Sequence, residues 1–163
     1  MAERPGFDTS RLTTADKLVL GGGGLYFLWA FFPVWYRCCD TILGQVPVGG
    51  ANGFRGVTFL AAILALLAVL EVAATKLASV GMTLPVRRGL VHLILGVLGL
   101  LLTVLGLVAR PSTLGASFTL GWGIVVAVIL ALVWAYGAYM MYTEPADSIS
   151  PPASGDPGGG FTS

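Results

Sequence analysis

Apolar residues occur along this chain in long runs that are separated by short polar segments. Four runs are long enough to cross roughly 30 Å of hydrocarbon at about 1.5 Å of helix per residue. No charged residue interrupts the chain between Pro111 and Thr143, which makes the last run the clearest. The pattern predicts an all-α membrane protein, a bundle of four transmembrane helices within residues 14–143. The predicted spans are residues 14–36, 56–80, 85–109 and 118–142.

The start of the first run has a capping signal. Thr13 and Asp16 have the spacing of a capping box, in which each side chain satisfies an exposed amide of the first helical turn. The helix is therefore expected to begin near Thr14. This run is full length and ends in FFPVWY, so we interpret it as a retained helix and not as a cleaved signal peptide.

Basic residues predict the orientation in the membrane. Four crossings place both termini on one side, and cytoplasmic segments carry an excess of Lys and Arg. The side of the termini holds Arg4, Arg11, Lys17, Lys76, Arg87 and Arg88, and the opposite side holds Arg37, Arg55 and Arg110. We therefore expect cytoplasmic termini in a multi-pass protein of the cell membrane. Inverted insertion is the alternative, because the two sides differ by only three charges.

Three polar segments complete the predicted organisation. Residues 1–13 form a cytoplasmic arm. Residues 37–55 form an outer loop without periodicity, which is the expected recognition surface. Residues 144–163 are rich in Pro, Gly and Ser and have little to bury, so this tail is predicted to be disordered.

Composition supports the membrane interpretation. Hydrophobic residues make up 56% of the chain and charged residues 10%, whereas a soluble domain has about 25% charged residues. The formal net charge of +1 provides no basic field for nucleic acid. Nucleic-acid binding is therefore excluded.

Small and polar residues form a stripe on the third predicted helix. They recur at alternating intervals of three and four: Gly89, His92, Gly96, Gly99, Thr103, Gly106 and Arg110. Such a seam lets helices approach closely in lipid, so we expect the third helix to be central with this face buried. The fourth helix carries Gly123, Ala127, Ala131 and Ala135 at intervals of four. This second face is expected to pack within the bundle or against another copy.

Glu71 is the candidate for an intramembrane ionisable site. It lies about 22 Å into the second span, nearer the cytoplasmic face, at the level of His92. A carboxylate at that depth is costly and is often a proton or cation site. The structural alternative, which nearness to the interface favours, is that His92, Arg88 or Lys76 neutralises it. His92 is likewise more often a packed, hydrogen-bonded histidine than a proton shuttle.

Two neighbouring thiols follow the first span. Cys38 and Cys39 are expected to face an oxidising compartment, as free thiols or in an intermolecular disulfide. The chain lacks the Cys-x-x-Cys motif of a thiol oxidoreductase. A metal site fails because the cysteines and His92 are predicted at opposite membrane faces. A Ser-His-Asp hydrolase fails because His92 has no acidic and hydroxyl partners at one depth other than Glu71 and Thr75. We therefore predict no enzyme, no metal site and no cofactor.

Several motifs resemble those of a known group of proteins. They are LTTADKLVLGGGG and FFPVWY in the first span, ANGFRG before the second and LPV before the third. Over residues 11–142 the chain resembles small, uncharacterised four-helix membrane proteins of actinobacteria. The resemblance implies the same four-span topology and brings no activity or site residues.

Two hypotheses of function follow from these patterns. The first is a non-enzymatic membrane protein that acts through helix packing and its outer loop, as an accessory subunit or self-associating scaffold. Its partners would be the lipid bilayer and other membrane proteins or a second copy. The alternative is a small oligomeric transporter or channel with a proton or cation site at Glu71 and His92.

Overall fold

The computed structural model describes residues 12–38, 50–77, 87–109, 112–113 and 116–144. It is mostly helical, with α1 Thr14–Trp29, α2 Thr58–Val72, α3 Arg88–Val108 and α4 Gly123–Thr143. A π-helical turn, Ala73–Leu77, continues α2. The helices pack in a ring in which α1 contacts α2 and α4, and α3 also contacts α2 and α4. The predicted arm up to residue 11, Cys39, Arg110 and the tail beyond residue 144 lie outside the described residues.

Three helices in the described part of the chain are long and apolar enough to cross a membrane. They are Thr58–Lys76, Arg88–Val108 and Gly123–Thr143. Large apolar side chains face outward on all three, for example Leu67, Leu101 and Ile129, each about half exposed. An apolar exterior around such helices is characteristic of a protein that lipid surrounds. The prediction of a multi-pass membrane protein is confirmed to this extent.

The first helix is shorter than the predicted span 14–36. The prediction is wrong at the C-terminal end of this span. The helix ends at Trp29, and an irregular turn leads through Pro33 to a strand at Tyr36. Pro33 has no backbone N–H and disfavours helical geometry at Phe32, so the helix cannot continue through it. The 16 residues of α1 correspond to about 24 Å of helix.

A small sheet, which we call the cap, lies at the end of the bundle where α1 ends. Its strands are β1 Tyr36–Cys38, β2 Gly50–Ala51, β3 Ser112–Thr113 and β4 Ala116–Leu120. The order is β2-β1-β4-β3 and every pairing is antiparallel. The cap corrects two predictions, because the loop 37–55 was expected to hold no element and α4 begins at Gly123 instead of residue 118. We call this end of the bundle the cap end, and the end where α1 begins and α4 ends the terminal end.

The stripe of small residues on α3 faces the bundle interior. The buried residues of α3 are Gly89, His92, Gly96, Gly99, Thr103 and Gly106. A β-carbon at Gly96 would lie 2.9 Å from the Ala138 β-carbon, and one at Gly106 would lie 2.5 Å from the Thr58 methyl group. The stripe is therefore occupied by contacts within the chain. The ring gives α3 two neighbours, as it does each of the other helices, so α3 is not the central helix that we expected.

The small residues of α4 also pack inside the bundle. Gly123, Ala127 and Ala131 are buried, and Ala135 is half-buried beneath Gly96. Of the two expected uses of this face, packing within the bundle is the one that the structure shows. These residues could contact another copy only if the helices separated.

Aromatic rings fill the centre of the bundle. Gly99 faces the Trp134 ring so closely that a β-carbon there would overlap it, and a β-carbon at Gly22 would lie 2.7 Å from the Trp134 amide nitrogen. The Tyr26 ring lies 6.2 Å from that of Trp134 and 5.7 Å from that of Trp35. Glycine on two opposite helices thus provides the space that a central tryptophan needs.

Candidate functional site

The first turn of α1 brings a carboxylate to the terminal end. The Thr13 hydroxyl accepts a hydrogen bond from the Asp16 amide at 3.2 Å, and Asp16 Oδ2 accepts one from the Thr13 amide at 3.0 Å. This is the capping box that the sequence predicts. The Asp16 side chain is buried, with only 3% of its surface exposed. A cap alone does not need such burial, since capping side chains are satisfied equally well at a surface.

The end of α2 supplies one acid and one base. Glu71 lies in the last turn of α2, and the Thr75 hydroxyl donates to its backbone carbonyl at 2.8 Å. The π-helical turn that follows contains one more residue than an α-helical turn, which rotates Lys76 around the helix axis. Lys76 Nζ consequently lies 3.5 Å from Asp16 Oδ2 and joins α2 to α1.

The start of α3 places Arg88 and His92 one turn apart on the same face. Arg88 Nε lies 2.8 Å from Glu71 Oε1 and Arg88 Nη2 lies 3.1 Å from Glu71 Oε2, so the guanidinium binds the carboxylate through two parallel hydrogen bonds. His92 Nε2 lies 2.6 Å from Glu71 Oε2. Glu71 therefore has two partners on α3.

Asp16, Glu71, Lys76, Arg88 and His92 together form what we call the ionic cluster. Two carboxylates face two cations, so the cluster is neutral when the imidazole is neutral. The exposed side-chain fraction is 17% for Glu71 and 1% for His92, whereas Lys76 and Arg88 are about a quarter exposed. The cations thus extend toward the surface and shield the acids below them.

The structure brings together all four predicted site residues, with one change of partner. Glu71, His92 and Arg88 meet, as their predicted positions at one depth along α2 and α3 indicate. Lys76 instead binds Asp16 in place of Glu71. Sequence reasoning gave Asp16 a capping role and missed its part in the cluster. The signal was present, because Asp16 lies in the first turn of an apolar helix at the end where Lys76 and Arg88 were already expected.

His92 has one ring nitrogen without a partner. Nδ1 is buried and makes no hydrogen bond among the described residues, as is also true of Trp134 Nε1. When Nε2 carries its hydrogen and donates it to Glu71, Nδ1 holds a free lone pair. Buried polar atoms are nearly always satisfied, so the open nitrogen of an imidazole whose other nitrogen contacts a carboxylate marks a place where a proton can bind.

Further polar contacts continue along α3 toward the cap end. The Tyr26 and Thr103 hydroxyls are 2.8 Å apart, and Thr103 also donates to the Gly99 carbonyl at 2.7 Å. Tyr36 donates to the Gly106 carbonyl at 3.3 Å. Burial raises the pKa of the Tyr36 phenol, an effect that the nearby Thr58 hydroxyl partly offsets, so the phenol stays a donor. These bonds satisfy interior groups and join the helices to the cap.

Two further expectations concern the thiols that follow the first span and the absence of a metal site. The backbone of Cys38 pairs with that of Phe118 across β1 and β4. Among the described residues, no three His, Cys, Asp or Glu side chains are grouped to hold a metal ion. In the ionic cluster, the positions beside the carboxylates are taken by Lys76 and Arg88.

Comparison with known proteins leaves function to be argued from this geometry. The chain matches no family model, no curated protein and no solved structure. The fold defines its class, a mostly helical protein with at least three helices able to span a membrane.

Proposed function

We propose that this chain is a non-enzymatic integral membrane protein that binds another membrane protein through its cap, as an accessory subunit. The observation that carries the proposal is the use of both small-residue faces inside one chain, on α3 and on α4. A bundle whose centre is filled by Trp134 is better suited to support another protein than to form a path for solutes. Among the described residues, the surface left for recognition outside the lipid-facing exterior is then the cap, to which the connection α1–α2 and the connection α3–α4 both contribute strands.

A fourth crossing is part of the proposal, with α1 and the turn after it as the spanning segment. The turn exposes Phe31 and Phe32, which suit the boundary of the hydrocarbon. Several of its backbone groups are satisfied within the protein, as membrane depth requires. The Ala30 carbonyl accepts from Gly53 N at 2.8 Å, and the Val34 carbonyl accepts from Gly123 N at 3.0 Å.

Cytoplasmic termini in the cell membrane complete the proposed topology. Among the described residues, Lys17, Lys76, Arg87 and Arg88 lie at the terminal end, against Arg37 and Arg55 at the cap end. This excess supports a cytoplasmic terminal end. Exposed aromatic side chains mark both ends: Phe31, Phe32 and Trp122 at the cap end, and Tyr136, Tyr139 and Tyr142 toward the terminal end.

Two side chains of the cap are suited to direct contact with a partner. Arg37 on β1 and Thr119 on β4 are register partners, and both side chains are exposed. They lie on the two inner strands of the sheet, and Arg37 also pairs with Gly50 of β2, so the backbone at both positions is held by the sheet. The preformed backbone lowers the ordering cost of binding.

Photocrosslinking in the native membrane tests this proposal. A photoreactive residue at Arg37 or Thr119 is expected to capture one protein of different sequence, recovered in fixed ratio after mild-detergent extraction. The control is Ile129, which is exposed on α4 away from the cap and should capture lipid. Capture of a second copy would support the self-associating scaffold instead. Equal labelling from cap and control positions would contradict a recognition role for the cap.

One observation supports the transporter alternative, namely the 2.6 Å contact between His92 Nε2 and Glu71 Oε2. We propose it as a second candidate in an oligomer, because one bundle with a filled centre offers little room for a path. Reconstituted vesicles should then show pH-dependent flux that Glu71→Gln abolishes. Glu144→Gln, which removes a carboxyl group outside the ionic cluster, is the matched control. A parent protein without flux would remove this candidate.

A further inference from the structure

Arg88 lies between the two carboxylates of the ionic cluster. Its Nε and Nη2 atoms bind Glu71 at 2.8 and 3.1 Å, and the same Nη2 lies 3.9 Å from Asp16 Oδ1. The first carboxylate is on α2 and the second is on α1. A modest change of the Arg88 side chain would therefore exchange a strong pair between α3 and α2 for one between α3 and α1.

His92 competes with Arg88 for Glu71. Both donate to the same carboxylate, and Glu71 Oε2 receives both His92 Nε2 and Arg88 Nη2. The free lone pair of His92 is on Nδ1, which is buried and without a partner among the described residues. A proton that binds there would convert His92 to a cation held against Glu71.

Other charged and titratable groups near the terminal end come from each element around His92. α1 contributes Asp16, and α2 with its π-helical turn contributes Glu71 and Lys76. α3 contributes Arg88 and, at its N-cap, Arg87, whose guanidinium lies 5.5 Å from the centre of the Tyr142 ring of α4. Only Glu71 contacts the imidazole directly among these groups.

We propose that the ionic cluster is a proton-binding site in which protonation of His92 moves Arg88 from Glu71 to Asp16. The proton binds at Nδ1, none is released, and the cluster changes from neutral to a net charge of +1. Two cations on one carboxylate repel each other, and the buried Asp16 carboxylate is the nearest second acceptor for Arg88. Lys76, which lies 3.5 Å from Asp16 Oδ2 and is 25% exposed, turns to solvent as Arg88 arrives, so Asp16 does not in turn hold two cations. The exchange draws the start of α1 toward α3.

This inference goes beyond the proposed binding function and does not depend on it. The partner-binding surface is at the cap end, whereas the proton site is at the terminal end. A purified chain in lipid nanodiscs is therefore sufficient for the test, with no partner present. Failure to find a partner would leave this result unaffected, and the reverse also holds.

The single histidine of the chain makes the titration direct. Histidine labelled with nitrogen-15 gives the imidazole signals of His92 alone, which NMR follows as the pH is changed. In parallel, spin labels on Thr14→Cys and Leu90→Cys report the distance between α1 and α3. Both positions are exposed, and Cys38→Ser with Cys39→Ser removes the native thiols. We expect the label distance to shorten over the same pH range in which Nδ1 is protonated.

Asp16→Asn separates proton binding from the movement. Asparagine can still serve the capping box, so the helix start is retained while the second anionic acceptor is lost. In Asp16→Asn the imidazole should still titrate while the change in label distance disappears. Arg88→Lys should give the same result, because an ammonium group cannot form the bidentate contact that Arg88 makes with a carboxylate. Glu144→Gln should change neither readout. The proposal is overturned if the imidazole does not titrate, if it titrates without a distance change, or if Asp16→Asn leaves the distance change intact.

Discussion

The hydroxyl groups of Tyr26 and Thr103 meet at 2.8 Å across the interior of the bundle and connect α1 to α3, two helices on opposite sides of the ring. Both side chains are fully buried. Thr103 also donates to the Gly99 carbonyl one turn earlier, so Tyr26 is the donor in the shared bond. The contact therefore ties two helices that otherwise pack mainly on α2 and α4.

Tyr26→Phe removes this hydroxyl and leaves the ring packing in place. Thr103 keeps the Gly99 carbonyl as its acceptor, so no donor is left unsatisfied. We expect a loss of about 0.5–1.5 kcal/mol in the free energy of unfolding, the usual size for one interhelical hydrogen bond. Detergent-induced unfolding measures it, with the exposed Tyr136→Phe as a control that should show no loss. A Tyr26→Phe protein as stable as the parent would show that the bond contributes nothing net.

Gly99→Ala is expected to be strongly destabilising, because the new β-carbon would overlap the Trp134 ring. Overpacking of a filled core costs roughly 1–3 kcal/mol. Gly21→Ala is the matched control, since no atom lies within 4 Å of its β-carbon position and alanine favours the helix. The same unfolding measurement should show Gly21→Ala to be at least as stable as the parent. Equal losses at the two positions would contradict the placement of Trp134.

Glu71→Gln leaves Arg88 and His92 without their shared anion. We expect a loss of about 1–3 kcal/mol, below the roughly 3–5 kcal/mol for a fully buried pair, because Arg88 is partly exposed. Arg88→Gln in the same chain should restore part of the stability. A double-mutant cycle measures the coupling. Additive losses would mean that the two side chains do not interact in the membrane.

Alkaline pH should weaken the cap through Tyr36. Burial raises the pKa of this phenol above its ordinary value of 10.0, so the folded state holds the proton that the unfolded state releases. This contribution to stability is complete below pH 10.0 and is lost as the pH rises through the higher folded value. Tyr36→Phe should reduce the alkaline loss of stability, whereas Tyr139→Phe, at an exposed position, should not. Equal alkaline losses in both variants would exclude Tyr36 as the source.

The sequence predicted those features that depend on the pattern within one helix or one hairpin. Periodicity places the stripe of α3 inside, and the antiparallel register of α2 and α3 brings Glu71 level with His92. The second role of Asp16 required the relative rotation of α1 against both of these helices, and the π-helical turn that directs Lys76 to it has no periodic signal. The end of α1 could have been predicted from the sequence, because Pro33 disfavours a helix that continues to Tyr36.

The cap was not predictable by the same means. Its strands have two to five residues, too few for alternation to stand out. The pairing that defines it joins Tyr36 to Leu120, which are far apart in the sequence. Such a sheet is stabilised by contacts that exist only after the helices have brought the two connections together.

The pairing of β1 with β4 also determines the order in which the protein can be completed. During synthesis α1, β1, β2 and α2 emerge first, but the central partner of β1 arrives with the connection before α4. Until then one edge of β1 lacks its neighbour, and the early half of the chain is an unfinished assembly intermediate. The pairing of β1 with β4 thus joins the two halves of the chain only after the connection before α4 has been made, and a chain truncated before β4 would lack this link.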